Sequence, residues 1–212
     1  MLNGLCCRNR DNDNCMKEHQ QISRRTLLSA LSAVGIGLPA ARLLAGEPVR
    51  ASQFDPKFEL LISYTIATQQ GFRTHRPYVA VWLEDKDGKS VRTLNLYVQT
   101  GRRGPRWIPD LRRWFRREED RKKVAGGDLV ATVSAPTRDA GKYSVAWDGK
   151  NDKGELVAQG DYTVCIEAAR EHGTYQLITQ PVKIGTKVFK QILTGNVEIS
   201  EAQIEFRKRA KA

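Results

Sequence analysis

Two histidines and two glutamates are the side chains beyond residue 51 that most resemble a metal or acid–base set. Histidine is the commonest metal ligand and titrates near neutral pH. A mononuclear metal site needs three or four converging ligands, whereas the histidines, His75 and His172, lie about a hundred residues apart in the sequence. The pattern therefore favours structural histidines and leaves both as weak metal candidates. With their neighbours, the candidate binding residues are His75, Arg76, Trp82, Glu167, Glu171 and His172.

Cysteine and hydrolase chemistry have little support. Cys6, Cys7 and Cys15 lie within the first fifteen residues and lack the paired spacing of a metal site. Beyond them the sequence holds a single cysteine, Cys165, so no internal disulfide can form once a leader is removed, and its place in a predicted strand favours packing. Neither a Gly-x-Ser-x-Gly motif nor a phosphate-cradling glycine loop is present, and no catalytic residue is predicted.

A strongly basic segment provides the other candidate surface. Residues 102–123 hold ten basic and four acidic side chains, and the apolar residues among them recur at helical spacing. We expect one amphipathic helix over about 105–123, with Pro109 in its first turn. Such a helix suits anionic lipid, an acidic partner protein, or a solvated cap on the fold. Its outward basic residues include Arg112, Arg113, Arg116 and Arg117.

The N-terminal residues resemble a twin-arginine export signal. An apolar run over residues 27–41 follows the arginine pair, and small residues at Ala45 or Ala51 offer cleavage sites. The run is shorter than the ~20 residues that span a bilayer. We expect translation to start at Met16, the twin-arginine translocase to be a partner, and the product to be soluble in the periplasm, where nucleic acid is not a partner. The signal residues are Ser23, Arg24, Arg25, Leu27 and Leu28.

Most of the chain beyond the signal has the alternating pattern of β-strands. The whole chain has 212 residues, 40% hydrophobic and 28% charged, which is ordinary for a globular protein. Its net charge of +11 favours an acidic partner. We predict an all-β, immunoglobulin-like β-sandwich over residues 52–207, interrupted by the basic helix and followed by a basic tail at 208–212. Predicted strands cover residues 58–68, 76–85, 91–98, 128–135, 142–147, 160–169, 175–184 and the strand-forming stretch 188–206.

Residues 143–164 resemble a hairpin of the immunoglobulin-like domain in flagellar hook-capping proteins. There, a strand ends in Trp-Asp-Gly, here Trp147 to Gly149, and a Gly-x-Tyr opens the next strand, here Gly160 to Tyr162. The oxygen-rich turn also suggests calcium, but its acidic residues lack EF-hand spacing and two lysines interrupt them. The pattern favours a structural turn.

Three segments of the predicted sandwich together form a family pattern. They are residues 76–88, the Trp147-Asp148-Gly149 turn, and residues 167–176. They resemble the domain-of-unknown-function 2271 family of predicted periplasmic proteins, and the resemblance extends over about residues 58–207. It implies, by association only, a role near extracytoplasmic electron transfer or iron handling, with flavin, haem or a transition metal as possible cofactors.

The predicted function is a non-catalytic binding or accessory module for an envelope redox or metal-handling system. One alternative is a small metal- or cofactor-dependent enzyme that uses His75, Glu171 and His172. Another is a structural or adhesive envelope protein, which rests on the sandwich alone and would be favoured by salt-sensitive binding of the basic helix to anionic vesicles.

Overall fold

A computed structural model describes residues 52–69 and 75–209 of this chain. The twin-arginine signal predicted from Ser23, Arg24, Arg25, Leu27 and Leu28 lies outside the described residues. The predicted start at Met16, the cleavage sites at Ala45 and Ala51, and residues 210–212 of the basic tail also lie outside them.

The described residues form nine β-strands, an α-helix of 14 residues and two shorter helical segments. The strands are β1 (Phe58–Ile66), β2 (Tyr78–Asp85), β3 (Ser90–Tyr97), β4 (Ser134–Ala135), β5 (Gly141–Trp147), β6 (Gly160–Ala169), β7 (Tyr175–Ile184), β8 (Phe189–Leu193) and β9 (Ile199–Lys208). The helical segments are a 3-10 helix (Gly104–Asp110), α1 (Arg112–Ala125) and α2 (Leu129–Val133).

The strands pair into two sheets that pack face to face. One sheet has the strand order β5-β1-β9-β8, and the other has the order β4-β3-β2-β6-β7. Neighbouring strands are antiparallel except for the short parallel pair β3 and β4. The predicted all-β sandwich is confirmed, and so is the central place of β2, which lies between β3 and β6.

An apolar core fills the space between the sheets. Alternate residues of β1 (Leu60, Ile62 and Tyr64) face alternate residues of β2 and β6 across this space. Phe54 and Trp147 close one end, with their ring centroids 5.3 Å apart. The alternation that predicted β1 is therefore the burial pattern of a strand with one face in the core.

A second apolar cluster covers the outer face of the five-stranded sheet. Here Ala80, Trp82 and Cys165 of the sheet pack against Leu111 and Trp114 of the helical segment. Strand β2 is thus buried on both faces, which explains why its sequence is apolar throughout instead of alternating.

The predicted basic helix is present, but its α-helical part begins at Arg112 and not near residue 105. Residues 104–110 form a 3-10 helix, and Leu111 separates it from α1 with a ψ of 72°. Pro109 has no N–H to donate to a continuous α-helix, so the tighter turn accommodates it.

The strand predicted over residues 128–135 is wrong for most of its length. Residues Leu129–Val133 form α2, and only Ser134 and Ala135 pair as β4. The side chain of Asp128 accepts hydrogen bonds from the amides of Val130 and Ala131, which is an N-cap that competes with a strand.

The segment predicted as a hairpin at residues 143–164 instead connects the two sheets. Strand β5 pairs with β1, whereas β6 pairs with β2 and β7. The rings of Trp147 and Tyr162 meet edge to face at 5.5 Å across the sheets, not along adjacent strands. The side-chain oxygen of Asn151 accepts from the amides of Lys153 and Glu155, so this part of the loop is held as a polar turn.

Candidate functional site

Two buried glutamates project from the five-stranded sheet toward α1. Glu84 comes from β2 and Glu167 from β6, and their exposed fractions are 1% and 0%. Both lie on the helix-facing side because they continue the alternation of Trp82 and Cys165 along their strands. A carboxylate loses its hydration when it is buried, so each of these requires partners within the fold.

Glu167 caps the first turn of α1. Its two carboxylate oxygens accept hydrogen bonds from the backbone amides of Arg113 and Trp114, each at 2.8 Å. The residue at the N-cap position cannot cap the helix, since it is Leu111, which has no side-chain oxygen. Burial raises the pKa of Glu167, although the two amides oppose this shift. A residue 54 positions away in sequence thus fixes where the helix starts.

Glu84 holds two arginines of α1. The Nε and Nη2 atoms of Arg113 donate to its two oxygens at 2.9 and 2.6 Å, and Nε of Arg117 donates at 3.3 Å. The indole N–H of Trp82 donates to the same carboxylate at 3.1 Å. Burial alone raises the pKa of Glu84, but these hydrogen bonds and the arginine charges outweigh burial and lower it.

Four arginines of α1 converge on the outer side of this arrangement. With Tyr175 they line an open cavity of about 260 Å³, which we call the arginine face. The guanidinium carbon of Arg112 lies 4.6 Å from the centre of the Tyr175 ring. Within residues 52–69 and 75–209, Arg112 and Arg116 have no carboxylate within 4.0 Å, and both are exposed. The four arginines are Arg112, Arg113, Arg116 and Arg117.

The charges of the arginine face are poorly placed for helix stability. Arg112 and Arg116 are four residues apart, as are Arg113 and Arg117, and such like-charge pairs destabilise a helix by about 0.2–0.5 kcal/mol each. All four occupy the N-terminal half of α1, whose first turn holds no acidic residue. The helix dipole also disfavours cations at this end. Helix stability alone does not explain this concentration of arginine.

The histidine candidates lie at another place, where the loop after β6 meets the 3-10 helix. Nδ1 of His75 is 3.8 Å from Oε2 of Glu171, and Nη2 of Arg106 is 3.9 Å from Oε1. The ring of His172 instead contacts Trp107 edge to face at 4.7 Å. The structure brings His75 and Glu171 together, and among the described residues no group of three or more His, Cys, Asp or Glu side chains is arranged to hold a metal ion.

A family comparison matches residues 59–201 to the model of a family described as "Predicted periplasmic protein (DUF2271)". The chain belongs to this family. The predicted resemblance and the predicted periplasmic location are thereby confirmed. No curated protein and no solved structure matches the chain. Among the described residues, no helix is long and apolar enough to cross a membrane.

Other predicted site residues of this DUF2271 chain are paired at the surface or packed in the interior. Arg76 forms a two-point ion pair with Asp139, with Nε 2.6 Å from Oδ1. Trp82 is fully buried beneath α1 and donates to Glu84. Cys165 is also fully buried, and desolvation raises the pKa of its thiol, so it packs between sheet and helix and is not poised as a thiolate.

The sequence did not identify Glu84 or Tyr175 as site residues of this DUF2271 chain. Glu84 ends an apolar strand, and nothing in the sequence pairs it with an arginine 29 positions later. The sequence did contain one signal, namely that Glu84 falls on the same side of its strand as Ala80 and Trp82. A charged residue in a strand buried on both faces needs a charged partner. A second ion pair, between Arg170 and the buried Glu198, was missed because the sequence does not pair these residues either. It joins the residue after β6 to the loop before β9.

Proposed function

We propose that this DUF2271 chain is a non-catalytic binding module of the periplasm that engages a negatively charged partner through its arginine face. It acts as an accessory component of an envelope redox or metal-handling system. The observation that carries the proposal is the convergence of four arginines and Tyr175 around one open cavity. Arginine favours binding because its planar fork matches carboxylate and phosphate oxygens.

Burial at the rest of the helical layer supports a binding role for this surface. The apolar side of α1, with Trp114 and the preceding Leu111, is used up against the sheet. The inward-facing N–H groups at the start of α1 donate hydrogen bonds to Glu84 and Glu167. The guanidiniums of Arg112 and Arg116 are exposed and are therefore available to bind a ligand from solvent.

A photo-cross-linking residue at position 119, exposed on α1 three residues from Arg116 and introduced into the full chain in living cells, tests the proposal without removing an arginine. We expect adducts with an acidic envelope protein that disappear in the Arg112→Glu variant and at high salt, because exposed charge contacts are screened. A cross-linker at position 201 on the opposite sheet is the matched control, since Glu201, like Glu119, is exposed and acidic. Equal adducts at both positions, or adducts unaffected by Arg112→Glu, would contradict the proposal.

The redox or metal-handling part of the proposal is tested separately. The processed protein, purified from the periplasm, is titrated with flavin mononucleotide, haem and ferrous ion, and the cross-linked partner is identified. A partner that carries a redox centre or a metal supports this part. An absence of affinity for all three probes, together with a partner lacking both, removes it and leaves the binding module.

A further inference from the structure

We propose that the anionic group recognised at the centre of the arginine face is a phosphate dianion, free or as an ester. This inference rests on the binding role proposed above and specifies its ligand chemistry. It is drawn from the charge, the orientation and the occupied hydrogen bonds of the residues that line the cavity.

The charge of the site matches a doubly charged group. Four arginines surround the cavity, and the two carboxylates beneath them, Glu84 and Glu167, leave a net formal charge of +2. A phosphate monoester carries about −1.5 to −2 at neutral pH, whereas one carboxylate carries −1. A single phosphate therefore neutralises the site, and a single carboxylate leaves it half compensated.

Three of the four guanidiniums are already oriented. Two contacts to Glu84 hold Arg113, one contact to the same carboxylate holds Arg117, and Arg112 lies over the Tyr175 ring. Each keeps N–H groups that these contacts do not use, because a guanidinium has five. Fixing the side chains before binding lowers the conformational entropy lost when an anion binds.

The helix N-terminus does not itself supply the anion site. The free amides of a first turn commonly bind phosphate, but here Glu167 already accepts from the amides of Arg113 and Trp114. The binding groups are consequently the guanidiniums, which form charge-assisted and often two-point hydrogen bonds with phosphate. The cavity of about 260 Å³ has room for a phosphate with part of an attached group.

Calorimetric titration of the processed full chain at constant ionic strength tests the inference, with inorganic phosphate, glycerol 3-phosphate and acetate as probes. We expect phosphate at pH 7.5 to bind at least about tenfold more tightly than acetate, from one further charge-assisted contact. Tighter binding of glycerol 3-phosphate would indicate an ester as the natural ligand, and equal binding would indicate free phosphate. Phosphate binding no stronger than that of acetate would overturn the inference.

The double variant Arg112→Gln/Arg116→Gln links the binding to this surface. Both side chains are exposed, so folding is retained, and phosphate affinity should fall by about tenfold or more. Lys142→Gln, which removes an exposed charge from the other sheet, should bind as the wild type does. Equal phosphate affinity in the double variant and the wild type would place binding elsewhere and refute the proposed site.

The pH dependence gives a further readout. A phosphate monoester loses its second charge near pH 6, and inorganic phosphate loses it at a somewhat higher pH, while arginine stays protonated. Affinity for both should therefore fall between pH 7.5 and 5.5. Affinity for sulfate, which remains doubly charged, should not change in parallel. If phosphate fails to bind but the adducts at position 119 persist, the binding module stands and the phosphate inference falls. The reverse result leaves the phosphate site and removes the protein partner.

Discussion

The two faces of the five-stranded sheet are buried by different kinds of contact. Toward the other sheet, β2 and β6 present mainly apolar side chains, among them Val81, Leu83 and Ile166. Toward α1 the same strands present Trp82 and Cys165 together with the carboxylates Glu84 and Glu167. One face is an apolar core, and the other is a polar and apolar junction.

The difference shows how one sheet can serve both stability and recognition. Apolar contacts are not directional, so they bind the sheets together without specifying the position of any single group. The carboxylates do specify position, since Glu167 fixes the first turn of α1 and Glu84 orients Arg113. Well-packed apolar residues in place of a buried ion pair are often as stable or more so. The ion pairs of this face are therefore better explained by the orientation of the arginines than by stability.

Replacing a tryptophan on each face should separate the two layers. We expect Trp147→Ala to lower the free energy of unfolding by about 3–5 kcal/mol, because it leaves a large cavity between the sheets. Trp114→Ala should instead loosen α1 alone. Hydrogen exchange measures this: the Trp147 variant loses protection in both sheets, while the Trp114 variant keeps the protection of β1 and β9. Equal loss in β1 and α1 for Trp114→Ala would show that the layers unfold as one unit.

A glycine pair tests how tightly the apolar face is packed. Gly149 and Gly154 both have positive φ, at +79° and +82°. A Cβ on Gly149 would lie 2.1 Å from Cγ of Phe54, whereas one on Gly154 would contact nothing within 4 Å. We expect Gly154→Ala to cost about 1 kcal/mol from the backbone alone and Gly149→Ala about 2–4 kcal/mol, measured by urea unfolding. Similar losses would mean that Phe54 moves aside freely.

Removing one carboxylate from each sheet tests the polar face. Glu84→Gln should lower the free energy of unfolding by about 2–3 kcal/mol, below the ~3–5 kcal/mol of a fully buried pair because Arg113 keeps contact with water. The matched control is Glu59→Gln. Glu59 and its partner Arg207 both lie in the four-stranded sheet, and Arg207 is 42% exposed, so we expect a loss of at most about 1 kcal/mol. Equal losses in urea unfolding would remove the distinction between this pair and a surface pair.

Much of the fold could be predicted because burial follows the period of the strand. The alternation in β1 and the apolar run of β2 both predicted their places in the sheets. The prediction for residues 129–133 was wrong because a short apolar segment fits a strand as well as a helix. The N-cap from Asp128 favours the helix. The hairpin predicted between β5 and β6 was wrong because a turn motif does not reveal whether its flanking strands pair.

The candidate site could be predicted only in part for a similar reason. Helical spacing placed Arg112 and Arg116 on an outward side of one helix. The partners that orient their neighbours come from β2 and β6, at separations of 29 to 54 residues. Local patterns carry no information on such contacts, which depend on how the strands are ordered in the sheet.

The two carboxylates under α1 should respond to pH with opposite signs. The pKa of Glu84 is lowered in the fold, so its stabilising contribution is present above the ordinary value of 4.5 and is lost as pH falls through the lower, folded value. The pKa of Glu167 is raised above 4.5, so the folded protein takes up a proton first and gains relative stability as pH falls toward 4.5.

Urea unfolding of the wild type, Glu84→Gln and Glu167→Gln across this range measures both effects. The stability difference between wild type and Glu84→Gln should shrink below pH 4.5, and that between wild type and Glu167→Gln should grow on approach to pH 4.5 from above. Parallel changes would mean that burial, and not pairing with the arginines, controls both carboxylates.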